Sequence, residues 1–276
     1  MAPHRQRNDR QDGSTSGRRR PTHAPDHAAS SGHRRRLEEV QSEWLWGWHT
    51  VLAALDNPAR APAKALLATA ERARLLANHD RAVSVLEVVD AHAIAQIVPQ
   101  GAPHQGVALR IPLIEASTLD DLAGEARGFL VMLDQVTDPQ NVGAIFRSAA
   151  AFGARGVILQ DRHAPALAGA LAKAAAGAID KIPHAREVNL SRALERLEAL
   201  GWRAVGLDGE ARDSLATVLN GAPTVLVLGA EGDGLRRLVR EHCDALACIA
   251  MPGGFDSLNV AAAAAVALYE ASQRHG

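Results

Sequence analysis

The stretch FLVMLDQVTDPQNVGAIFRSAAAFGARGVILQ, residues 129–160, decides the fold of the larger part of this chain. It opens with an apolar run at 129–133, continues with a helical pattern at 141–152 and ends with a second apolar run at 156–160. Continuous apolar strands that alternate with helices are typical of a parallel sheet with helices on both faces. We therefore predict an α/β fold built on a mostly parallel sheet.

The same alternation continues to the C-terminus, and a smaller α/β pattern precedes it. Further strands of the larger pattern are predicted at 182–188, 202–207, 224–228 and 245–250, and further helices at 164–178, 191–200, 235–242 and 257–273. The smaller pattern predicts strands at 65–69 and 105–111, a helix that the run 44–55 leads into, and helices at 71–78 and 91–97. These patterns divide the chain into a basic arm at 1–42, a small α/β unit at 43–114, a linker at 115–127 and a larger domain at 128–276.

The composition excludes several classes of protein. The chain has 276 residues, of which 47% are apolar, so it is long enough to bury a core. No uninterrupted apolar run reaches the roughly 18 residues of a membrane span, and no apolar segment follows the basic start to indicate secretion. The two cysteines, Cys243 and Cys248, are too few for a disulfide framework or a metal site. We predict a cytoplasmic protein without a metal.

The net charge of −1 conceals an uneven distribution. Residues 1–36 hold nine Arg and three Asp, so this segment is strongly basic while the rest of the chain is net acidic. The arm has too little apolar surface to offset the entropy of ordering, which predicts disorder. A basic arm on an acidic body favours RNA, DNA or another polyanion as partner, and a solvated tail without a specific role is the alternative.

Three polar, glycine-containing segments follow predicted strands of the larger domain. In an open α/β sheet, ligands bind at the carboxyl ends of the strands. We therefore predict that the three segments form one composite site. They are DPQNVGAIFR at 138–147, LGAEGDGL at 228–235 and IAMPGGFDSLNV at 249–260.

The second segment contains the turn GAEGDG, residues 229–234. Its glycines permit close approach to a ligand, but their spacing departs from the GxGxxG dinucleotide fingerprint. The carboxylate of Glu231 would repel a pyrophosphate and would suit a hydroxyl, amine or cationic ligand. An ordinary turn between strand and helix is the alternative.

The first and third segments add polar side chains at helix starts. Asn141 and Arg147 lie six residues apart and are predicted to project toward the same side, with Arg147 either in an ion pair or in a clamp for phosphate or carboxylate. Ser257 is predicted to cap the C-terminal helix, which would place Leu258 and Asn259 in its first turn.

Together the three segments resemble the three motifs of the SpoU (TrmH-type) ribose 2′-O-methyltransferases of the SPOUT superfamily. The sequences LWGWHTVLAAL at 45–55 and HQGVA at 104–108 are similar to the N-terminal RNA-recognition domain of the branch that modifies 23S rRNA. The resemblance covers about residues 45–275.

The resemblance implies a C-terminal trefoil knot, S-adenosylmethionine as cofactor, a homodimer, and methylation of a ribose 2′-hydroxyl, with a guanosine of 23S rRNA as the target. A tRNA 2′-O-methyltransferase and a non-catalytic RNA-binding protein of the same fold are the alternatives. The implied cofactor contacts, mostly through the backbone, are Gly229, Ile249, Met251 and Leu258. The implied polar active-site residues are Asn141, Arg147, Glu231, Ser257 and Asn259.

The resemblance implies that Arg147 is the candidate for activating the acceptor hydroxyl. An arginine side chain has hydrogen-bond donors and no acceptor, so it is a poor base, and we expect Arg147 to hold a substrate phosphate instead. The chain departs from the family pattern at two positions. Ala250 stands where Pro is usual, which makes the loop less stiff, and Ala261 stands where Ser is usual.

Overall fold

The computed structural model describes residues 42–254 and 257–275. The arm predicted at 1–42 lies outside the described residues except for Ser42, which already belongs to the first strand. The two sheets that follow lie in one compact unit.

The first sheet is small and mixed. Its strands are β1 Ser42–Trp46, β2 Ala65–Ala68, β3 Leu86–Val88 and β4 Val107–Pro112. They are ordered β1-β4-β2-β3, and only the β2–β3 pair is parallel. The accompanying helices are α1 Trp48–Asp56, α2 Ala70–Leu76, α3 Asp80–Val83 and α4 Ala91–Ile97.

The run from Trp44 toward Leu55 contains a strand as well as the predicted helix. Gly47 separates β1 from α1 with a φ of +91°, a conformation that suits a residue without a Cβ. The prediction missed β1 and β3 because both depend on pairing with distant segments rather than on local pattern.

The second sheet has six strands, and all of its pairs are parallel. They are β5 Phe129–Leu133, β6 Val157–Gln160, β7 His184–Glu187, β8 Arg203–Leu207, β9 Thr224–Leu228 and β10 Ala245–Ala247. Their order is β10-β8-β9-β5-β6-β7. Every residue of β5 and of β9 is buried. The predicted α/β fold with a mostly parallel sheet is confirmed.

Helices cover both faces of this sheet. Residues of one apolar cluster belong to α6 Pro139–Ala151, α7 Gly169–Ala175 and α11 Val260–His275. The cluster on the opposite face contains residues of α5 Leu119–Ala123, α8 Leu190–Ala199 and α10 Arg237–Glu241. A short helix α9 Leu215–Val218 and a 3-10 turn Ala178–Asp180 complete the domain. Of the helices in the described residues, none is long and apolar enough to cross a membrane.

The C-terminal helix begins at Val260, three residues later than predicted. Asn259 precedes it, and the Oδ1 atom of Asn259 accepts hydrogen bonds from the backbone N–H groups of Ala261 and Ala262 at 3.0 and 3.2 Å. The prediction that Ser257 caps this helix is therefore wrong, and Asn259 is the cap.

Candidate active site

Glu231 lies at the centre of a hydrogen-bonded cluster that joins the three predicted segments. Its Oε1 atom accepts from Asn141 Nδ2 at 3.1 Å, from Asn259 Nδ2 at 2.6 Å and from the backbone N–H of Val260 at 3.2 Å. Asn141 belongs to the first turn of α6, Glu231 follows β9, and Asn259 precedes α11. The three strand-end segments therefore meet at one place, as the sequence predicts.

The side-chain amide of Asn259 is fixed in one orientation. Its oxygen accepts the two backbone N–H groups at the start of α11, so its nitrogen must face the other way. That nitrogen donates to Glu231 and also to Asn141 Oδ1 at 3.0 Å. Within the described part of the chain, the second carboxylate oxygen of Glu231 accepts no hydrogen bond, which leaves an acceptor for a ligand.

A pinched loop carries Glu231. The loop closes on itself through two backbone hydrogen bonds between Ala230 and Gly234, of 3.1 and 3.0 Å. A Cβ atom on Gly229 would overlap the backbone of Gly234, so this position requires glycine. The pinch holds Glu231 at an exposed position beyond the carboxyl end of β9.

A buried carboxylate fixes the far end of this loop. Asp134 follows β5 and is fully buried. It accepts from the backbone N–H of Arg236 at 2.9 Å and from the guanidinium Nε of Arg236 at 2.6 Å. The loop after β9 is therefore tied to the neighbouring strand just before α10 begins.

A cleft of about 530 Å³ opens beside the Glu231 cluster. It lies between the loops that follow β8, β9 and β10. All four predicted cofactor residues line it, and two of the predicted polar residues do so as well. These six are Gly229, Ile249, Met251, Leu258, Glu231 and Ser257.

The prediction missed one wall of this cleft. Asp208, Gly209 and Glu210 follow β8 and line the cleft, as does Arg240 on α10. The Arg240 guanidinium forms an ion pair with Asp208 at 2.6 Å. The signal was present in the sequence, because Asp-Gly-Glu directly follows the predicted strand 202–207 and is a fourth polar strand end.

Arg147 does not join the cluster. It is exposed on α6, and it makes no hydrogen bond or ion pair with other described residues. Six residues of α-helix turn a side chain through about 600°, which places Arg147 about 120° away from Asn141 around the helix axis. Asn141 therefore faces Glu231 while Arg147 faces outward, so the prediction that both project toward the same side is wrong.

Among the residues at 42–254 and 257–275, no group of three or more His, Cys, Asp or Glu side chains could hold a metal ion. Both cysteines are unpaired. Burial raises the pKa of the Cys243 thiol to about 12, because a buried thiolate is poorly solvated.

Several known proteins are similar to this chain. A model of the SpoU rRNA Methylase family matches residues 128–269, about half of the chain. A 23S rRNA (guanosine-2′-O-)-methyltransferase RlmB from Xylella fastidiosa is 40% identical over 240 residues, which cover 84% of this chain and 96% of that protein.

A second relative is longer than this chain. An uncharacterized tRNA/rRNA methyltransferase from Mycolicibacterium vanbaalenii is 40% identical over 200 residues, which cover 71% of this chain and 63% of that protein. A protein of the same description from Mycolicibacterium gilvum gives the same coverage. The chain therefore matches less than two thirds of the length of these two relatives.

Two solved structures share the fold and contain the cofactor AdoMet. The SpoU methyltransferase AviRb from Streptomyces viridochromogenes is 26% identical with a TM-score of 0.73, covering 87% of this chain and 92% of that one. An AdoMet-bound rRNA methyltransferase from Sinorhizobium meliloti is 28% identical with a TM-score of 0.74, covering 87% of this chain and 90% of that one.

Proposed function

Because the chain belongs to the SpoU rRNA methylase family, we propose that it transfers the methyl group of S-adenosylmethionine to a ribose 2′-hydroxyl of RNA. The observation that carries this proposal is the cluster of Glu231, Asn141 and Asn259 at the edge of a cleft lined by the predicted cofactor residues.

The cleft fits S-adenosylmethionine in size and in charge. Its volume of about 530 Å³ lies within the usual range for small-molecule sites. Carboxylates of Glu231, Asp233 and Glu210 line it, and a sulfonium cation with an ammonium group is a suitable partner for them. Gly229, Ile249 and Met251 would hold the cofactor mainly through backbone groups, and Leu258 would do so by apolar contact. When bound, this cofactor supplies an electrophilic methyl group.

The residues of the Glu231 cluster would orient the acceptor ribose. Methyl transfer to a hydroxyl requires alignment of the reacting atoms and removal of one proton. The free oxygen of Glu231 and the amide of Asn141 can bind ribose hydroxyls in a fixed position, because their own orientations are held by Asn259. Arg147 would hold a substrate phosphate with its planar guanidinium.

We further propose a homodimer that covers the exposed face of α6 and α11. The exposed residues of these helices include Arg147 on α6 and, on α11, Val266 and Tyr269, which are 45% and 52% exposed. The two helices pack against each other where the rings of Phe152 and Tyr269 meet at 5.8 Å between centroids. A second copy docked here would cover the apolar surface of Val266 and Tyr269.

A trefoil knot at the C-terminus is part of the same proposal. The strand β10 lies at one edge of the sheet, yet the chain that leaves it returns to contact Glu231 after β9 and Asn141 after β5. The segment between β10 and α11 therefore crosses the ends of the intervening strands. This crossing supports the threaded loop of the SPOUT superfamily.

We propose a guanosine of 23S rRNA as the target, by analogy with the Xylella relative, and hence a cytoplasmic site of action. The unit at 43–114 would serve as the RNA-recognition domain. A tRNA target is the second candidate, because the Mycolicibacterium relatives are described as tRNA/rRNA methyltransferases.

The proposal is tested by incubating the purified chain with S-adenosylmethionine and either a 23S rRNA transcript or a tRNA pool. Mapping of 2′-O-methyl positions should identify one guanosine in the rRNA. Calorimetry should detect cofactor binding in the absence of RNA. A chain that binds RNA but not S-adenosylmethionine would be the non-catalytic relative instead.

A further inference from the structure

Four side chains meet where the small sheet contacts α7 of the large one. The Oε1 atom of Gln105 accepts from Lys173 Nζ at 2.8 Å and from the backbone N–H of Trp48 at 3.0 Å. The Nε atom of Arg72 donates to the backbone oxygen of Gln105 at 3.1 Å, and its guanidinium lies 4.7 Å from the centre of the Trp48 ring. We call Trp48, Arg72, Gln105 and Lys173 the seam cluster.

The seam cluster has positive charge without a carboxylate to balance it. Neither Arg72 nor Lys173 forms an ion pair within the described residues. Partial burial lowers the pKa of Lys173, because desolvation disfavours its charged form. An anionic ligand would offset this cost, which the neutral amide of Gln105 does only in part.

The backbone around the cluster is held in uncommon conformations. Gln105 has a φ of +57°, which non-glycine residues rarely adopt and which tends to occur at functional sites. A Cβ atom on Gly47 would overlap the Lys173 amine. The space for Lys173 at the seam therefore depends on residue 47 being glycine, which has no Cβ atom.

The seam itself is tightly fixed. Arg60 of the small unit and Asp180 of the large one form an ion pair at 2.7 Å, with only 1% and 3% of their side chains exposed. Asn57 donates to the same carboxylate at 3.1 Å, and Thr50 Oγ1 donates to the Ala172 carbonyl at 3.2 Å. The residues of the seam cluster are therefore held in a constant arrangement, although three come from the small unit and Lys173 comes from the large one.

The seam is also connected to the candidate active site through two touching helices. Lys173 lies on α7, which packs closely on α6. A Cβ atom on Gly143 of α6 would lie 2.5 Å from the Leu171 carbonyl oxygen of α7. Asn141 is two residues before Gly143, so the helix that carries Lys173 packs beside the helix that carries part of the Glu231 cluster.

We infer that the seam cluster is a docking site for single-stranded substrate RNA, in which Lys173 and Arg72 bind phosphates and the Trp48–Arg72 pair stacks on a base. Cations beside an aromatic ring are the usual means of binding unpaired nucleotides. The inference rests on the proposed function, since it names a substrate subsite for that reaction. It also extends RNA recognition beyond the unit at 43–114, because Lys173 belongs to the large domain.

The test measures the salt dependence of RNA affinity for the full chain and two charge-removing variants, Lys173→Gln and Arg72→Gln. The probe is a labelled 23S rRNA transcript fragment. A plot of log affinity against log salt has a negative slope. Each phosphate contact that is lost should reduce the magnitude of this slope by about 0.7 to 0.9. The matched controls are Lys181→Gln and Arg74→Gln, since both residues are exposed and neither belongs to the seam cluster.

We expect both seam variants to have a shallower salt dependence and a higher KM for RNA, with kcat and cofactor affinity unchanged. The two control variants should match the wild type. A seam variant that loses thermal stability but keeps the wild-type slope would show a structural role only and would overturn the inference. Equal losses in the controls would overturn it as well.

The same measurements separate the inference from the proposed function. If the wild-type chain methylates RNA and the seam variants keep the wild-type salt dependence, only the docking site is refuted. If the wild-type chain fails to bind S-adenosylmethionine but the seam variants still have a shallower salt dependence of RNA affinity, the proposed function is refuted and the docking site is supported.

Discussion

The Glu231 cluster and the seam cluster have the same construction with opposite charge. In each, one side-chain oxygen accepts several donors that come from distant parts of the chain. At the first, a carboxylate is bound by neutral amides, so negative charge remains beside the cleft. At the second, a neutral amide is bound by a cation, so positive charge remains at the surface.

This difference would allow one chain to bind two ligands of opposite charge at separate sites. A cationic cofactor is favoured where Glu231 has no cation to pair with, and a polyanion is favoured where Lys173 has no carboxylate. An unpaired charge lowers the stability of the unliganded protein. A ligand of opposite charge therefore stabilises each cluster when it binds. The predictions below each test one side of this comparison.

The largest effect is expected from Glu231→Ala. This change removes the shared acceptor of Asn141 and Asn259, and misplaced groups at a reacting centre reduce rates by about 100-fold. We expect methylation, measured as kcat/KM with rRNA, to fall by about that factor. Glu198→Ala removes an exposed carboxylate on α8, outside the cleft, and is the control that should lie within about twofold of the wild type. Equal losses in both variants would contradict a specific role for Glu231.

A smaller effect is expected from Arg147→Lys. The change keeps the positive charge but loses the planar fork that binds phosphate through two hydrogen bonds. We expect methylation to fall about tenfold, which corresponds to about 1.4 kcal/mol, without loss of thermal stability because the side chain is exposed. Near wild-type methylation by this variant would rule out the phosphate clamp.

Asn259→Ala should reduce stability as well as activity. Loss of a helix cap costs about 1 kcal/mol, so the midpoint of denaturant unfolding should fall accordingly. Ser257→Ala is the matched control, and its free energy of unfolding should stay within about 0.5 kcal/mol of the wild type. If Ser257→Ala were the more destabilising change, our assignment of Asn259 as the cap would be wrong.

The smallest effect is expected from Ala250→Pro, which restores the usual residue of the family. Proline reduces the freedom of the unfolded chain and stabilises a compatible site by about 0.4–1 kcal/mol. Thermal unfolding should detect this gain, with methylation unchanged. A loss of stability would mean that the loop of this chain has adapted its backbone to alanine.

The large sheet was predictable because its strands are buried on both faces. The run at 129–133 is apolar throughout, the run at 224–228 is apolar after Thr224, and the strands begin and end at these residues. The family was predicted from three short segments, and the match at 128–269 confirms it. The meeting of Glu231 with Asn141 followed from the rule that ligand sites form at the carboxyl ends of parallel strands.

Other features depend on contacts that no local pattern contains. The strand β3 has only three residues, and two of them are exposed, so it carries no apolar signal. The cap at Asn259 was assigned to Ser257 because both residue types favour that position and only the structure shows where the helix begins. The outward direction of Arg147 was available from helix geometry, because six residues fall about one residue short of two full turns and leave the side chains of Asn141 and Arg147 about 120° apart.

The buried ion pair between Arg60 and Asp180 has a consequence for target selection. Because this pair ties the small unit to the large one, it sets a constant distance between a base stacked on Trp48 and Arg72 and a ribose held at Glu231. The protein then fixes the number of nucleotides between the base bound at the seam cluster and the methylated nucleotide, whatever their sequence. An RNA would qualify as substrate by the length and path of its unpaired segment.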